Sequence, residues 1–326
     1  MLIDIHAHII VPEIERAAAP SDRWRPAVTW ENGRQICDFD GKRLTSMWRD
    51  AVNIERIIAE NAAAGVTHAV LTPWSSLFGY ELDLDKSRRV NQIQNDALAR
   101  IQRGHPNQIT ALGTIPMQDA DAAVAELERA VTQLGMKGVE IGTNVNGVYL
   151  GDDRFRPVWT AAQELGAIVE IHPVPGVGNK TNGQYYLWNA WANPAETAYT
   201  AAHMILAGVL HDFPDLKVVL FHGGGHLPYQ IGRLDRAYAV RPEVQQRISA
   251  PPSTYFKKFY FDTITHSAEA LQYLINLVGV DQVMVGSDYP FDMGYARPGE
   301  MVDALGLAGD AADKIRFGNA TRLFGI

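Results

Sequence analysis

Four histidines and one aspartate stand where the chain could hold a metal ion. The sequence opens MLIDIHAH, so His6 and His8 sit one residue apart directly after the apolar run from Leu2 to Ile5. Side chains two apart on a strand project to the same side, and paired imidazoles on one side suit a cation. Further on, His172 ends the run AIVEIHP, His222 follows KVVLF, and Asp288 lies in QVMVGSDYP. Three imidazoles and a carboxylate form a ligand set suited to one divalent ion, Zn²⁺ first and Mn²⁺, Fe²⁺ or Co²⁺ as alternatives. We assign His6, His8, His172 and Asp288 as the ligands, which leaves a coordination position for water or substrate. A water held there has its pKa drawn towards neutrality. His222 is then placed as the acid/base, because an unperturbed imidazole titrates at about 6.5. Asp288 is counted in both roles, as ligand and as catalytic partner of His222.

These residues need a scaffold that gathers strand ends. Eight β-rich runs begin at Leu2, His68, Ile109, Gly138, Ala167, Lys217, Phe259 and Gln282. Between most of them lie stretches of helical periodicity: Asn53–Ala64, Lys86–Arg103, Asp121–Leu134, Phe155–Leu165, Pro194–His211 and Ala268–Val278. Asp119 or Asp121 could cap the third, and Gly135, Gly166 and Gly279 sit where helices should stop. Strands alternating with helices imply parallel pairing and a (β/α)₈ TIM-type barrel. No GxGxxG-type turn follows the first strand, as a doubly wound dinucleotide-binding sheet would require. Barrels of this kind collect their chemistry at the C-terminal strand ends, and the five candidates fall there. The expectation is a single domain over residues 1–326 carrying a small β-meander insertion at residues 12–50. Within that insertion, Asn32-Gly33 and Asp40-Gly41 read as successive hairpin turns. The long loop from Val174 to Asn193 could cover the same mouth, its Tyr185, Tyr186, Trp188 and Trp191 forming an apolar wall.

Composition narrows the function. The 326 residues carry a net charge of −8 and no Lys/Arg-rich block, which argues against a nucleic-acid face. No apolar run is long enough to span a membrane, and Asp4, His6 and His8 interrupt any signal-like segment at the start. The single cysteine, Cys37, cannot form a disulfide within the chain. A soluble cytoplasmic protein is expected.

The motifs DIHAH, EIHP, FHGGG and GSDYPFDMG, in this order, resemble the amidohydrolase superfamily in its second large group. Within it, GTIPMQ, GVEIGTNVNG, NPAET, FPDLKV, GRLDRAYAVRP and the ending GNATRLFGI are similar to the 2-amino-3-carboxymuconate-6-semialdehyde decarboxylases, along nearly the whole chain. The resemblance implies a metal-dependent, O₂-independent decarboxylation on a barrel. In it His6, His8, His172 and Asp288 match the metal ligands, usually of zinc, and His222 matches the acid/base histidine. It also implies a substrate carboxylate held by arginine. Arg233 matches an arginine that reaches the neighbouring subunit's site, which implies a homodimer. Arg241 is its possible companion, and Arg43 or Arg49 of the insertion could serve as well, Arg49 being our choice. The chain reads LWNAWANPAET where the family has a Pro-Trp pair, so Trp191 or Trp188 takes the wall position by a different path. His226 and His266 lie near the same mouth. Related decarboxylases of hydroxylated benzoates carry Glu-x-His at the first strand, where this chain has His6. The favoured substrate is a small unsaturated or aromatic carboxylic acid. A metal-dependent hydrolase or hydratase of a lactone, amide or unsaturated dicarboxylic acid on the same site is the alternative.

Overall fold

A computed structural model describes residues 1–176 and 184–326. Its first strand, β1 (Ile3–Ile9), precedes three strands that pair antiparallel in order: β2 (Ala27–Glu31), β3 (Arg34–Phe39) and β4 (Lys42–Met47). The turns joining them are Asn32-Gly33 and Asp40-Gly41, with φ of 49° and 78° in the first and 51° and 72° in the second. Positive φ at both central positions is what a type I′ hairpin demands, and Asn-Gly and Asp-Gly supply it.

The remaining strands are β5 (His68–Pro73), β6 (Ile109–Ala111), β7 (Gly138–Gly142), the short hairpin β8 (Asn144–Val145) and β9 (Val148–Tyr149), β10 (Ile168–His172), β11 (Lys217–Leu220), β12 (Tyr260–Asp262) and β13 (Val283–Met284). Two parallel sheets result, β1-β5-β6 and β13-β12-β11-β10-β7. Backbone contacts run between them on both sides. Gly113 bridges Val139 and accepts from the Glu140 N–H at 2.8 Å; Ala7 bridges Tyr289, and the Ile5 N–H donates to Val285 O at 2.9 Å.

Helices fall close to the expected stretches: Ile54–Ala63, Leu84–Gly104, Ala120–Thr132, Arg156–Glu164 and Ala268–Val278. Asp119, not Asp121, caps the third, its side chain accepting from the Ala122 N–H. The stretch from Pro194 to His211 is a correction: it forms two helices, Asn193–Leu206 and Val209–Asp212. Gly208 breaks it at φ 79°, where a Cβ would also lie 2.6 Å from the Arg247 carbonyl oxygen.

The interior is layered. Ile3, Ile5, Val70, Leu112, Ile168, Val219 and Met284 pack into one apolar cluster with Leu323 and Phe324 near the C-terminus. Ala7, Ile9, Leu71, Val139, Ile171 and Leu220 belong to a second, larger cluster. Ile3 and Ile5 thus join the first cluster and Ala7 and Ile9 the second, and the β1–β5 register shifts between Asp4 and Ala7. The antiparallel sheet contacts the segment after β13, through Met47 against Phe291 and the Asp292 N–H on Ser46 O at 2.8 Å. Of the loop from Val174 to Asn193, residues 177–183 lie outside the described residues. In the described part, Tyr185 and Trp191 are exposed. No helix among the described residues is long and apolar enough to cross a membrane.

Candidate functional site

The five sequence candidates converge. His6 and His8 come from β1, His172 ends β10, His222 follows β11 and Asp288 follows β13. All are buried or nearly so. The rings of His6 and His8 stand edge to face at 5.0 Å between centroids, and His172 lies 5.5 Å from His6 and 4.9 Å from His8.

In His6, His8 and His172, the histidines assigned above as ligands, one nitrogen has an oxygen neighbour. His6 Nδ1 lies 2.7 Å from Asp262 Oδ2, His8 Nδ1 3.0 Å from Thr72 Oγ1, and His172 Nδ1 2.9 Å from Pro173 O. The Asp262 carboxylate and the Pro173 carbonyl only accept, so His6 and His172 carry the proton on Nδ1. The Thr72 hydroxyl donates to Ala7 O at 3.1 Å, which leaves it to accept from His8 Nδ1, so each Nε2 keeps a lone pair. His6 Nε2, His8 Nε2 and Asp288 Oδ1 are buried without hydrogen-bond partners. Both of those Nε2 atoms stand 3.5 Å from Asp288 Oδ1. That is too long for a hydrogen bond but suits donors sharing a cation about 2.0–2.2 Å from each. The donor set therefore fits a divalent metal. His6, His172, His222 and Asp288 each offer a donor atom within 4.8 Å of the others. His222 differs from the other histidines, because its Nδ1 has no partner and its Nε2 faces the second Asp288 oxygen, Oδ2, at 3.6 Å.

Burial and charge set the protonation states. Burial pushes the His6 pKa down to about 4 and His172 well below the ordinary value, so both are neutral bases. Burial opposes ionisation of Asp288, but His6, His222 and His8 outweigh it and hold the carboxyl well below its usual range. Burial likewise lowers His222, but Asp288 outweighs it and the net shift is upward.

Sequence reasoning missed several supports. Asp262 ends β12 and serves four others: besides His6, its oxygens accept from the His222 N–H at 3.0 Å, the Gly223 N–H at 2.7 Å and the Ile264 N–H at 3.1 Å. Its signal is a lone aspartate at the end of the apolar run FYFD. Glu140 and Glu170 are fully buried register partners on β7 and β10. Glu170 shares its face with His172, two residues on, which EIH displays directly. After His222 comes Gly-Gly-Gly, and at Gly225 (φ 63°) a Cβ would sit 1.9 Å from Pro194 O, so only glycine lets the turn close on that helix.

The other candidates are not among the converging donor atoms. Arg49 donates to Ala296 O at 2.8 Å and covers the Tyr289 and Trp48 rings. Arg43 pairs with Glu31 and Asp38 on the antiparallel sheet. The Trp191 and His226 rings meet at 4.6 Å between centroids, tilted by 40°, and the His226 Nε2 lies 3.3 Å from Trp191 O. Arg233 is exposed on the helix Leu227–Val240 and has no ion-pair partner among the described residues, whereas Arg241 pairs with Glu243.

A parallel α/β scaffold with imidazoles and a carboxylate gathered beyond its strands defines a metal-centre enzyme class, and comparison with known proteins narrows it. The amidohydrolase family model matches residues 3–326, and the chain belongs to that family. It is 33% identical over 294 residues to 2-amino-3-carboxymuconate-6-semialdehyde decarboxylase of Dictyostelium discoideum, covering 88% of this chain and 81% of the relative. It is 30% identical over 229 residues to 6-methylsalicylic acid decarboxylase of Penicillium expansum, covering 69% and 71%. Among solved structures, 5-carboxyvanillate decarboxylase from Sphingomonas paucimobilis superposes with a TM-score of 0.84 at 26% identity, covering 100% of this chain and 99% of that one.

Proposed function

We propose that this protein is a metal-dependent, non-oxidative decarboxylase of a small unsaturated or aromatic carboxylic acid. The observation that carries the reading is the division of labour among the histidines. His6, His8 and His172 have Nδ1 against oxygen and Nε2 left open, while His222 faces the other oxygen of Asp288 with no acceptor on Nδ1. The first three and Asp288 Oδ1 would hold one divalent ion, with zinc our assignment on the donor set and manganese, iron or cobalt tolerated. When bound, the ion supplies a Lewis acid that withdraws electron density from the substrate's oxygens. His222 then handles the proton: the bond to the carboxylate breaks, CO₂ leaves, the electron pair stays on carbon, and the imidazolium N–H donates the proton that forms the new C–H bond. Asp288 Oδ2 beside it stabilises that imidazolium, and Asp262 fixes the backbone on which His222 sits.

Contacts at both seams between the two sheets support one closed (β/α)₈ barrel over residues 1–326, with residues 12–50 inserted after the first strand. The unpaired, exposed Arg233, with Tyr229 82% exposed on the same helix, supports a homodimer in which Arg233 reaches the neighbouring site and holds a substrate carboxylate. Trp191, His226 and Arg49 would line the entrance. Net charge and the lack of basic blocks fit a cytoplasmic enzyme of small molecules, with no nucleic-acid or membrane partner.

The test is CO₂ release from a panel of carboxylated muconates, hydroxybenzoates and 5-carboxyvanillate by protein loaded with zinc or manganese. Release that stops on chelation and returns with metal is the expected result. Water addition or hydrolysis without CO₂ would sink the decarboxylase assignment.

A further inference from the structure

Non-glycine residues with positive φ are few, and most have a local explanation. Asn32, Asp40 and Asn146 each precede a glycine in a turn, and Tyr185 and Tyr186 belong to the exposed rim. Three remain: His222 (φ 55°), His266 (φ 54°) and Asp288 (φ 57°). They follow the consecutive strands β11, β12 and β13. Left-handed backbone is costly for residues with a Cβ and persists where the surroundings impose it, most often at functional sites. Two of the three place their side chains in the donor ring described above.

His266 has the surroundings of a third such residue. Its backbone is clamped: the His266 N–H donates to the Tyr295 hydroxyl at 2.7 Å, the two rings lie 5.0 Å apart, and the Tyr295 N–H in turn donates to Ser287 O at 2.7 Å. The segment presses on the acid/base turn, since a Cβ at Gly223 would meet Thr265 Cγ2 at 2.8 Å. His266 is exposed, and neither ring nitrogen has a hydrogen-bond partner among the described residues. Its ring is nevertheless within electrostatic reach of His222, Asp288 and Asp262, and burial together with His222 holds its pKa below the ordinary value. A strained, clamped backbone thus presents an unpartnered imidazole on the segment that packs against the acid/base turn.

We propose that His266 contacts the substrate and sets its specificity, its imidazole hydrogen-bonding a hydroxyl substituent of the acid. A neutral imidazole offers one donor and one acceptor, which matches a hydroxyl. A second carboxylate only accepts, and is better served by arginine. The proposal rests on the decarboxylase reading for the nature of the ligand, so the test separates the two.

The experiment is calorimetric titration of metal-loaded wild type, His266→Gly and His266→Asn with 2-nitroresorcinol, a planar probe whose nitro group stands for the carboxylate between two hydroxyls. Metal content and Tm are measured alongside. Loss of one hydrogen bond should weaken binding in His266→Gly by about tenfold. His266→Asn, which tolerates positive φ and keeps a donor and an acceptor, should lose less. Metal content should not change, and Tm should hold or rise in the glycine variant, because the backbone strain is relieved. Equal affinity in all three proteins overturns the proposal, and so does failure of the wild type to bind. CO₂ release with equal affinities would remove the role of His266 and leave the decarboxylase standing. Binding that depends on His266 without CO₂ release from any acid would do the reverse.

Discussion

Strand β10 crosses two polar layers that obey opposite rules. His172 at its end is fully provided for: Nδ1 sits on the Pro173 carbonyl and Nε2 is open towards the other donors. Glu170, two residues earlier on the same face, is fully buried and neither of its oxygens has a hydrogen-bond partner. Burial, and then Glu140 beside it, raises its pKa well above the usual value. The imidazole layer is arranged to hold something, since the orphaned Nε2 atoms of His6 and His8 converge on the orphaned Asp288 Oδ1. The carboxylate layer beneath is an uncompensated cost, because a buried acid without partners is tolerated chiefly in its neutral form. Between the two stands Asp262, buried like Glu170 but bonded to His6, His222, Gly223 and Ile264. Burial raises its pKa, but His6, His222 and the Gly223 N–H together outweigh it and the net shift is downward.

The contrast can be broken or sharpened by substitution. Asp288→Ala should have the largest effect, because it removes the oxygen on which both β1 histidines converge and the partner of His222. Metal content and CO₂ release should both fall to background by elemental analysis and assay. His222→Asn should leave metal bound and cut turnover by about 10²–10⁴-fold. Parallel loss of metal would instead make His222 a ligand and move it into the group with His6 and His172. Asp262→Asn should weaken metal affinity by about 10- to 100-fold, measured by competition with a chelating dye. A smaller change would show that the His6 tautomer is held by other means. Glu170→Gln should do the least and in the other direction, raising Tm by about 2 °C in thermal unfolding, since an amide needs no proton taken up on folding to be buried neutral. If it also lowers metal affinity, the two layers form one electrostatic unit and the contrast drawn above is wrong.

How much of this was legible beforehand follows the same division. All eight strands of the two parallel sheets begin within a residue or so of the apolar runs that announce them, because β-branched runs ending in a polar residue are unusual and local. His6, His8, His172, His222 and Asp288 could be picked out for that reason, and the Asn-Gly and Asp-Gly turns of the antiparallel sheet likewise. Asp262 was not, since its function is to orient His6 from 256 positions away, and no local pattern reports such a contact. The break at Gly208 escaped because the periodicity continues across it, and only the approach of the Arg247 backbone forces the turn. Arg49 and Arg43 were chosen for charge, and in the folded protomer both are occupied, one by a carbonyl and two aromatic rings, the other by acids of its own sheet.

Asp4 accepts hydrogen bonds from the backbone N–H and hydroxyl of Ser287, joining positions 283 apart beside the donor ring. During synthesis, therefore, His6 and His8 leave the ribosome well ahead of Asp288. A nascent or prematurely terminated chain would lack the carboxylate and the strand that align them. Ion capture would thus require synthesis to pass Asp288, so a product truncated before that residue should emerge from the ribosome empty.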